Sequence, residues 1–400
     1  MAKASAAASS AHGHRRRFGG IVGGGAGLLS MVPMNRKIIA VASAALITGS
    51  AGWLTAQPDE ARIIDEPSGW PAVAHLQPAI GTLFADADAM GETRALLILR
   101  DGKVIYERYG PGFNQDSKLI SWSMAKSITG VLIGLLVAEG RLALDAPAPV
   151  AAWQRSGDPR GSITLRHLLN MSSGLEHVES GEKAWEGDRV TLLFGDGAAD
   201  MAGFAESKPA VAKAGEQFNY SSATSVILAD ILADTLAPGG DAAARRDAVL
   251  DLLRTRLAEP AGMTSLTPEF DAAGTMVGGS IMHATARDYA KFGELLRRRG
   301  VAGDQRLLPE SWIDFMLTPS PANPGYGGHI WLNRPRAAGE TTRLLRGEGP
   351  NDLFACTGHQ GQYILVSPSQ RLTIVRLGIS RENDQLPNVR EKMRAIAAGL

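Results

Sequence analysis

The stretch Ser121–Gly130, SWSMAKSITG, places a lysine three positions after a serine, at Ser123 and Lys126. On a helix, side chains three residues apart lie on one face and can meet. A serine hydroxyl is a weak nucleophile until a base removes its proton, and a lysine is such a base only where burial or a nearby cation lowers its pKa. The apolar run after Lys126 favours that burial. The pair is therefore a candidate nucleophile with its base. The alternative is that Ser121 or Ser123 caps the helix while Lys126 extends to solvent.

A second motif, Tyr-Ser-Ser, ends at Ser222 and leads into an apolar helical segment. This position puts Tyr220 on a loop that enters a helix. A tyrosine hydroxyl close to an ammonium group can lose and regain a proton, so Tyr220 is a candidate proton relay. The alternative is an aromatic side chain at the edge of the core.

A third motif, His-Gln-Gly, runs from His359 to Gly361 directly into a strand-like segment. Gly361 before an edge strand would let a ligand approach the backbone. The N–H groups of Gln362 and Ser123 could then form a two-donor oxyanion hole. His359 would be a hydrogen-bond donor or a cation beside the site, or else an ordinary loop histidine.

Strands and helices must position these motifs, and their order predicts the fold class. Ala95–Gly110 reads as a hairpin turning at Asp101-Gly102, and Ser123–Glu139 reads as a helix with an apolar face. Helical segments follow between about residues 140 and 300. Further helix and strand signals are Thr164–Asn170, Ser225–Leu236, Asp247–Leu257, Thr285–Gly300, the strands Gln362–Ser367 and Arg371–Gly378, and a last helix near Val389–Ala398. We predict an α+β protein in which an antiparallel sheet, shared by both ends of the chain and flanked by helices, carries an inserted mostly helical region.

Composition narrows the classes of function. The chain has 400 residues with 41 basic and 41 acidic side chains, so nothing favours a nucleic-acid partner. Its single cysteine, Cys356, excludes an internal disulfide and a thiolate metal cluster, and is expected to be buried. Since no metal-binding motif appears either, we expect neither a metal nor another cofactor. The oligomeric state stays open.

Residues 1–57 read as a leader and 58–400 as one globular domain. Arg36 and Lys37 precede the apolar run Ile38–Leu54, a length typical of a signal-peptide core. An uncleaved membrane anchor and a cytoplasmic protein are the alternatives, and Met34 could be the true translation start. We expect the protein to be exported and to lie in the periplasm or to be anchored to the inner membrane.

The order and spacing of SMAK, YSS and HQG resemble the serine β-lactamase/penicillin-binding-protein superfamily over about residues 70–398. The branch it resembles holds class C β-lactamases, family VIII carboxylesterases and 6-aminohexanoate-dimer hydrolases. The resemblance implies that Ser123 is acylated and that Lys126 and Tyr220 act as general base and proton relay. It also implies that His359 stands where a lysine begins the K-[ST]-G motif, with Gly361 and Gln362 on the strand that edges the site.

Two departures from the pattern bear on the substrate. Ser222 replaces the asparagine of Y-x-N, and His359 replaces an ammonium with a mostly neutral imidazole. Both favour an esterase or amidase acting on a small substrate without a demand for a β-lactam carboxylate. A β-lactamase, a D-amino-acid peptidase and a non-catalytic binding module are the alternatives. Trp122 could line the pocket or pack below the helix, and the loop 176–188, with Trp185, is expected by family analogy to overhang the site.

Overall fold

The structure, a computed structural model, describes residues 62–63, 73–181, 183, 186–334 and 349–400. The predicted leader, residues 1–57, and Trp185 lie outside the described residues. Within the described ranges, no helix has both the length and the apolar character needed to cross a bilayer.

A mixed set of short and long strands forms the β-structure. The strands are β1 (Arg62–Ile63), β2 (Glu92–Arg100), β3 (Lys103–Tyr109), β4 (Leu119–Ile120), β5 (Thr267–Pro268), β6 (Met282–Ala284), β7 (Val301–Ala302), β8 (Gln305–Arg306), β9 (Trp331–Leu332), β10 (Phe354–Gly358), β11 (Gln362–Ser367) and β12 (Leu372–Ile379). Seven of them form one antiparallel sheet in the order β1-β3-β2-β12-β11-β10-β9. Strands β2 and β12 are neighbours, so the two ends of the chain share one sheet, as the sequence predicts.

The helices account for most of the middle of the chain. They are α1 (Gln77–Ala85), α2 (Ala87–Met90), α3 (Met124–Ala138), α4 (Leu165–Leu169), α5 (Asp188–Phe194), α6 (Met201–Ser207), α7 (Ser222–Leu236), α8 (Ala242–Leu252), α9 (Ala286–Arg297), α10 (Glu310–Leu317) and α11 (Gln385–Gly399). A π-helical turn, Leu253–Ala258, extends α8. The predicted α+β class with an inserted helical region is confirmed.

Both faces of the large sheet are covered, which explains why its strands read as continuous apolar runs. Along β2, Leu97 belongs to the core shared with α3, α7 and α9, whereas Leu96 and Ile98 belong to the core under α1 and α11. Successive side chains point to opposite faces of a strand, so each face receives every second residue. The sheet is thereby fixed between two helical layers.

Helix α3 is buried almost throughout, from Met124 to Leu136. A helix apolar on all sides must lie inside the protein, and this one packs between α7 and the β10–β11 side of the sheet. The helix ends where the sequence predicts, just before Gly140. Gly140 adopts φ +70°, a left-handed conformation typical of the residue that follows a helix. Burying the whole helix fixes the position of its first turn, where the candidate nucleophile lies.

Candidate active site

Ser123 lies at the N-terminus of α3, where the chain turns sharply. Trp122, just before it, has φ +43°, a left-handed conformation that costs energy for a residue with a β-carbon. The Ser123 side chain makes no capping hydrogen bond and instead lines a cavity. Ser123 is therefore not a simple helix cap.

The two neighbouring serines are held by structural contacts. Ser121, with no exposed surface, donates to the Trp122 carbonyl at 2.9 Å and accepts from the Met282 N–H at 3.1 Å. Ser127 donates to the His329 carbonyl at 2.6 Å inside the core. Neither hydroxyl faces the cavity, so Ser123 is the serine of this stretch that a substrate can reach.

Lys126 is buried beside Ser123, one helical turn along. Its Nζ lies 3.3 Å from Ser123 Oγ, 2.8 Å from Ser222 Oγ and 2.6 Å from the Gly279 carbonyl oxygen. Burial lowers its pKa to about 8, with nearby Glu179 opposing that shift and Arg189 adding to it. The predicted contact between the Ser123 and Lys126 side chains is thus present, with the burial that a lysine base needs.

Glu179 completes this group, and sequence reasoning did not single it out. Its carboxylate accepts from the Ser222 N–H at 2.6 Å and from the Ser222 hydroxyl at 2.8 Å. Because the Ser222 hydroxyl donates a hydrogen bond to Glu179, its oxygen presents its lone pairs to Lys126. A chain Glu179–Ser222–Lys126–Ser123 results. It also shows that the loop 176–188 reaches the site at Glu179, as the resemblance implies.

Gly279 is the other group that sequence reasoning missed. A β-carbon there would lie 2.7 Å from the Ser222 carbonyl oxygen, so only glycine lets this backbone pass beside α7. That close approach brings the Gly279 carbonyl to Lys126. The glycine pair that begins Gly278–Leu296 was a visible signal, but its sequence does not reveal which carbonyl faces a lysine.

Tyr220 lines the same cavity, on the extended segment that enters α7. Its ring lies 5.0 Å from Lys126 Nζ, within the range of a cation–π contact, and packs against the rings of Tyr326 and Trp331. The structure therefore brings Tyr220 together with Ser123 and Lys126, as predicted, with its ring face toward the ammonium.

The wall opposite α3 is the end of β10 rather than the start of β11. Strand β9 pairs only with Phe354 and Ala355 of β10, so the remainder of β10 has no strand partner on that side among the described residues. Thr357, Gly358 and His359 line the cavity there. A β-carbon at Gly358 would lie 2.3 Å from the Ser121 carbonyl oxygen, which shows how closely β10 approaches the chain that enters α3.

The predicted roles of Gly361 and Gln362 are therefore corrected. Strand β11 lies inside the sheet, between β10 and β12, and neither residue lines the cavity. The space beside Gly361 (φ +84°) is filled by Arg376, whose Nη1 would be 2.5 Å from a β-carbon. The Gln362 amide donates to the carbonyls of His359 at 2.9 Å and Gly378 at 2.6 Å. Both residues hold the β10–β11 turn and do not present an edge to substrate.

His359 is near the nucleophile and is neutral at physiological pH. Burial lowers its pKa, and the charge of Arg189 lowers it further, while Glu382 acts in the opposite direction. Its Nδ1 lies 3.6 Å from Glu382 Oε1, and the Trp122 ring packs edge-on against it at 5.5 Å. Trp122 itself does not line the cavity, so it packs against His359 rather than forming the pocket wall.

The cavity has a volume of about 300 Å³. Besides the residues above, it is lined by Ser180, Arg189, Tyr363, Glu382, Leu386 and Arg390. Among the described residues, no group of three or more histidine, cysteine or acidic side chains is arranged to hold a metal ion. Cys356 is buried in β10, and burial raises the pKa of its thiol to about 12, so it stays a protonated core residue.

Comparison with known proteins fits this geometry. The family profile described as Beta-lactamase matches residues 87–398. A 6-aminohexanoate-dimer hydrolase from Paenarthrobacter ureafaciens is 27% identical over 252 residues, covering 60% of this chain, and the chain spans 61% of that relative's length. Two solved structures share the fold. A provisionally assigned 6-aminohexanoate-dimer hydrolase from Bacillus anthracis has TM-score 0.61 and 22% identity, with coverage of 76% and 79% of the two chains. A family VIII carboxylesterase has TM-score 0.56 and 14% identity, with coverage of 82% and 98%.

The family match extends over far more than half of the chain. The protein therefore belongs to the beta-lactamase family.

Proposed function

We propose that this protein hydrolyses a small ester or linear amide through a covalent acyl-enzyme on Ser123. The observation that carries the proposal is the arrangement around Lys126 Nζ, which has Ser222 Oγ and the Gly279 carbonyl as close acceptors and Ser123 Oγ as its third neighbour. An amine that donates its two protons to the first two acceptors directs its lone pair at Ser123. Such a lysine is a base aimed at the nucleophile.

In the attack step, the Ser123 hydroxyl transfers its proton to neutral Lys126 as Oγ bonds to the substrate carbonyl carbon. The carbonyl oxygen then carries the negative charge of a tetrahedral intermediate. The N-terminus of the long helix α3 favours that charge. Two backbone N–H groups, those of Ser123 and His359, are the proposed oxyanion donors, because His359 directly follows the β10 residues that line the cavity.

In the second step the intermediate collapses, the bond to the leaving group breaks, and that group takes the proton held by Lys126. Tyr220, beside the ammonium, is the proposed relay to the leaving group. Water then attacks the acyl-enzyme, giving its proton back through the same pair and releasing the acid product and free Ser123. Glu179 holds Ser222, and with it Lys126, in one orientation throughout.

Hydrolysis of an acyclic ester or amide is favoured over β-lactam hydrolysis because His359 stands where the K-[ST]-G motif has its lysine. His359 is a neutral imidazole whose pKa is lowered by burial, so it offers no permanent positive charge at that position. The relatives described as a 6-aminohexanoate-dimer hydrolase and as a carboxylesterase act, by name, on an amide and on esters. We extend to this chain the coarse class that they share, an acyclic ester or amide.

A substrate panel with a Ser123→Ala control tests the proposal. The panel comprises a p-nitrophenyl ester, 6-aminohexanoate dimer, a D-alanyl amide and nitrocefin. We expect turnover of the ester, the linear amide or both, and a loss on the order of 10⁴-fold or more in the variant. Turnover that persists in Ser123→Ala, or turnover of nitrocefin alone, would overturn it.

We also propose that the protein is exported. The support is the basic start and apolar run within residues 34–57. Fractionation of cells that express the full chain should recover it in the periplasm or with the inner membrane. Recovery in the cytoplasm alone would contradict this.

A further inference from the structure

Among the described residues, two arginines face the active-site cavity without a carboxylate partner. Arg189, in α5, makes no side-chain hydrogen bond or ion pair within the described part of the chain. Arg390, in α11, donates through Nε to the Tyr363 hydroxyl at 3.2 Å and, among the described residues, pairs with no acid. Both side chains are only partly exposed. A guanidinium that has lost part of its water gains most from an anionic partner.

Nearby arginines show that the fold supplies such partners elsewhere. Arg381, just before α11, pairs with Asp384 at 2.6 Å, and Arg394, one turn after Arg390, pairs with Glu391. The absence of a carboxylate at Arg390 is therefore a local property of the cavity wall.

Neither of the two acids that line the cavity forms an ion pair with these arginines in the described part of the chain. The Glu179 carboxylate accepts two hydrogen bonds from Ser222. Glu382 is largely exposed and lies against His359, 3.6 Å from its Nδ1. Both guanidinium groups therefore face the cavity without a bound carboxylate. Arg189 is also close enough to Lys126 and His359 to lower the pKa of both, which puts one guanidinium near the reacting groups.

We propose that Arg189 and Arg390 form a carboxylate-binding site, and that the preferred substrates are short esters or amides that carry one carboxylate besides the scissile bond. This inference rests on the proposed function. The planar fork of a guanidinium matches a carboxylate, and two such forks would hold it in one orientation. A cavity of about 300 Å³ lies at the small end of ligand sites, so it suits a compact molecule that carries both the carboxylate and the scissile carbonyl.

The positive charge that His359 does not supply would thus come from two other elements of the fold. The substrate carboxylate would be recognised from α5 and α11, and not from the strand that carries the motif. This modifies the expectation, drawn from the sequence, of a substrate without a carboxylate.

Two matched pairs of chromogenic or phenolic esters test the inference. The first pair is mono-p-nitrophenyl glutarate and its methyl ester, which place the charge on the acyl side. The second is 4-acetoxybenzoate and its methyl ester, which place it on the leaving group. The measured quantity is the ratio of kcat/KM for the anionic to the neutral member, corrected for alkaline hydrolysis rates. We expect a ratio of about ten or more for at least one pair, because one charge-assisted hydrogen bond strengthens binding by about that factor.

Arg189→Met and Arg390→Met should each lower that ratio about tenfold, and Arg390→Lys should restore part of it. Arg394→Met is the matched control on the same helix and should keep the ratio. In a Ser123→Ala background, glutarate binding measured by calorimetry should weaken in both arginine variants, which gives a readout without turnover. Added salt should raise KM for the anionic ester more than for the neutral one.

The two levels of failure are distinguishable. If neutral esters are hydrolysed through Ser123 but the ratio is near one, or is unchanged in both arginine variants, the carboxylate site is refuted and the proposed function stands. If Ser123→Ala hydrolyses the neutral esters as well as the unaltered protein does, the proposed function itself fails.

Discussion

Two sets of polar groups in the active site differ in how they are satisfied. At the N-terminal end of α3 (the α3 end), the Lys126 ammonium contacts three acceptors, and Glu179 and Ser222 are bonded to each other. On α5 and α11, Arg189 and Arg390 face the cavity with no acid bound to them in the described part of the chain. The first set is organised before substrate arrives, which is what general-base catalysis requires. The second is completed by a ligand, which is what recognition requires.

This contrast predicts that substitutions at the α3 end lower the activity on every substrate, while those at Arg189 and Arg390 change the ratio between anionic and neutral substrates. Replacing Lys126 should have the largest effect. Lys126→Met removes the base and should lower kcat/KM for all esters about 10³-fold, within the range usual for general-base catalysis. Steady-state kinetics with a melting curve for the folded fraction checks this. Lys118→Met, on an exposed lysine that contacts Thr267, is the control and should keep full activity. Comparable losses in both variants would refute the assignment.

Ser222→Ala should have the next largest effect. It removes the hydroxyl between Lys126 and Glu179, so both charged groups lose a partner. A hydrogen bond to a charged group contributes about 1.5–3 kcal/mol, which corresponds to a loss of about 10- to 100-fold in kcat. Ser221→Ala removes the α7 cap next to it and should lower the melting temperature without the loss of kcat. If the kcat values of the two variants match, Ser222 has no specific role.

The pH profile should separate two charges that act on Lys126 in opposite directions. Activity needs neutral Lys126, so kcat/KM should fall as the pH drops below about 8, the value to which burial lowers this pKa. Glu179 raises the pKa and Arg189 lowers it. Glu179→Gln should therefore move the acid limb to lower pH, and Arg189→Met should move it to higher pH. Profiles measured with a neutral ester check this, and shifts in the same direction would contradict it.

Gln362→Ala should have the smallest effect on catalysis, because Gln362 holds the β10–β11 turn from outside the cavity. Its amide bonds to His359 and Gly378, and losing these buried contacts should reduce the free energy of unfolding by about 1–3 kcal/mol. Denaturant unfolding measures this loss. We expect kcat/KM to fall by less than about tenfold, because the proposed oxyanion donor is the N–H of His359. A loss as large as that of Lys126→Met would return Gln362 to the oxyanion hole.

The α3 end could be read from the sequence because its geometry is local. Ser123 and Lys126 are one helical turn apart, and the apolar run that buries Lys126 is adjacent to it. The sheet shared by both chain ends also followed from local patterns, since a hairpin turn and two apolar runs predict strands that need covering on both faces.

The rest of the site depends on tertiary contacts that leave no local signature. The error at Gly361 and Gln362 arose because β10 is short and ends in Thr357-Gly358, so the longer apolar run of β11 looked like the edge of the site. Glu179 lies in a loop with several other acids, and nothing in its spacing distinguishes it. Arg189 and Arg390 come from helices remote from each other in sequence, and only the folded chain puts them in one cavity.

Covalent labelling shows directly whether Ser123, at the α3 end, is the nucleophile. The folded protein is treated with a fluorophosphonate, and the adduct is located by intact mass and peptide mapping. We predict one adduct, on Ser123, that is lost in Ser123→Ala and strongly slowed in Lys126→Met. An adduct on Ser121, on Ser127 or elsewhere, or labelling that persists in Ser123→Ala, would show that Ser123 is not the nucleophile.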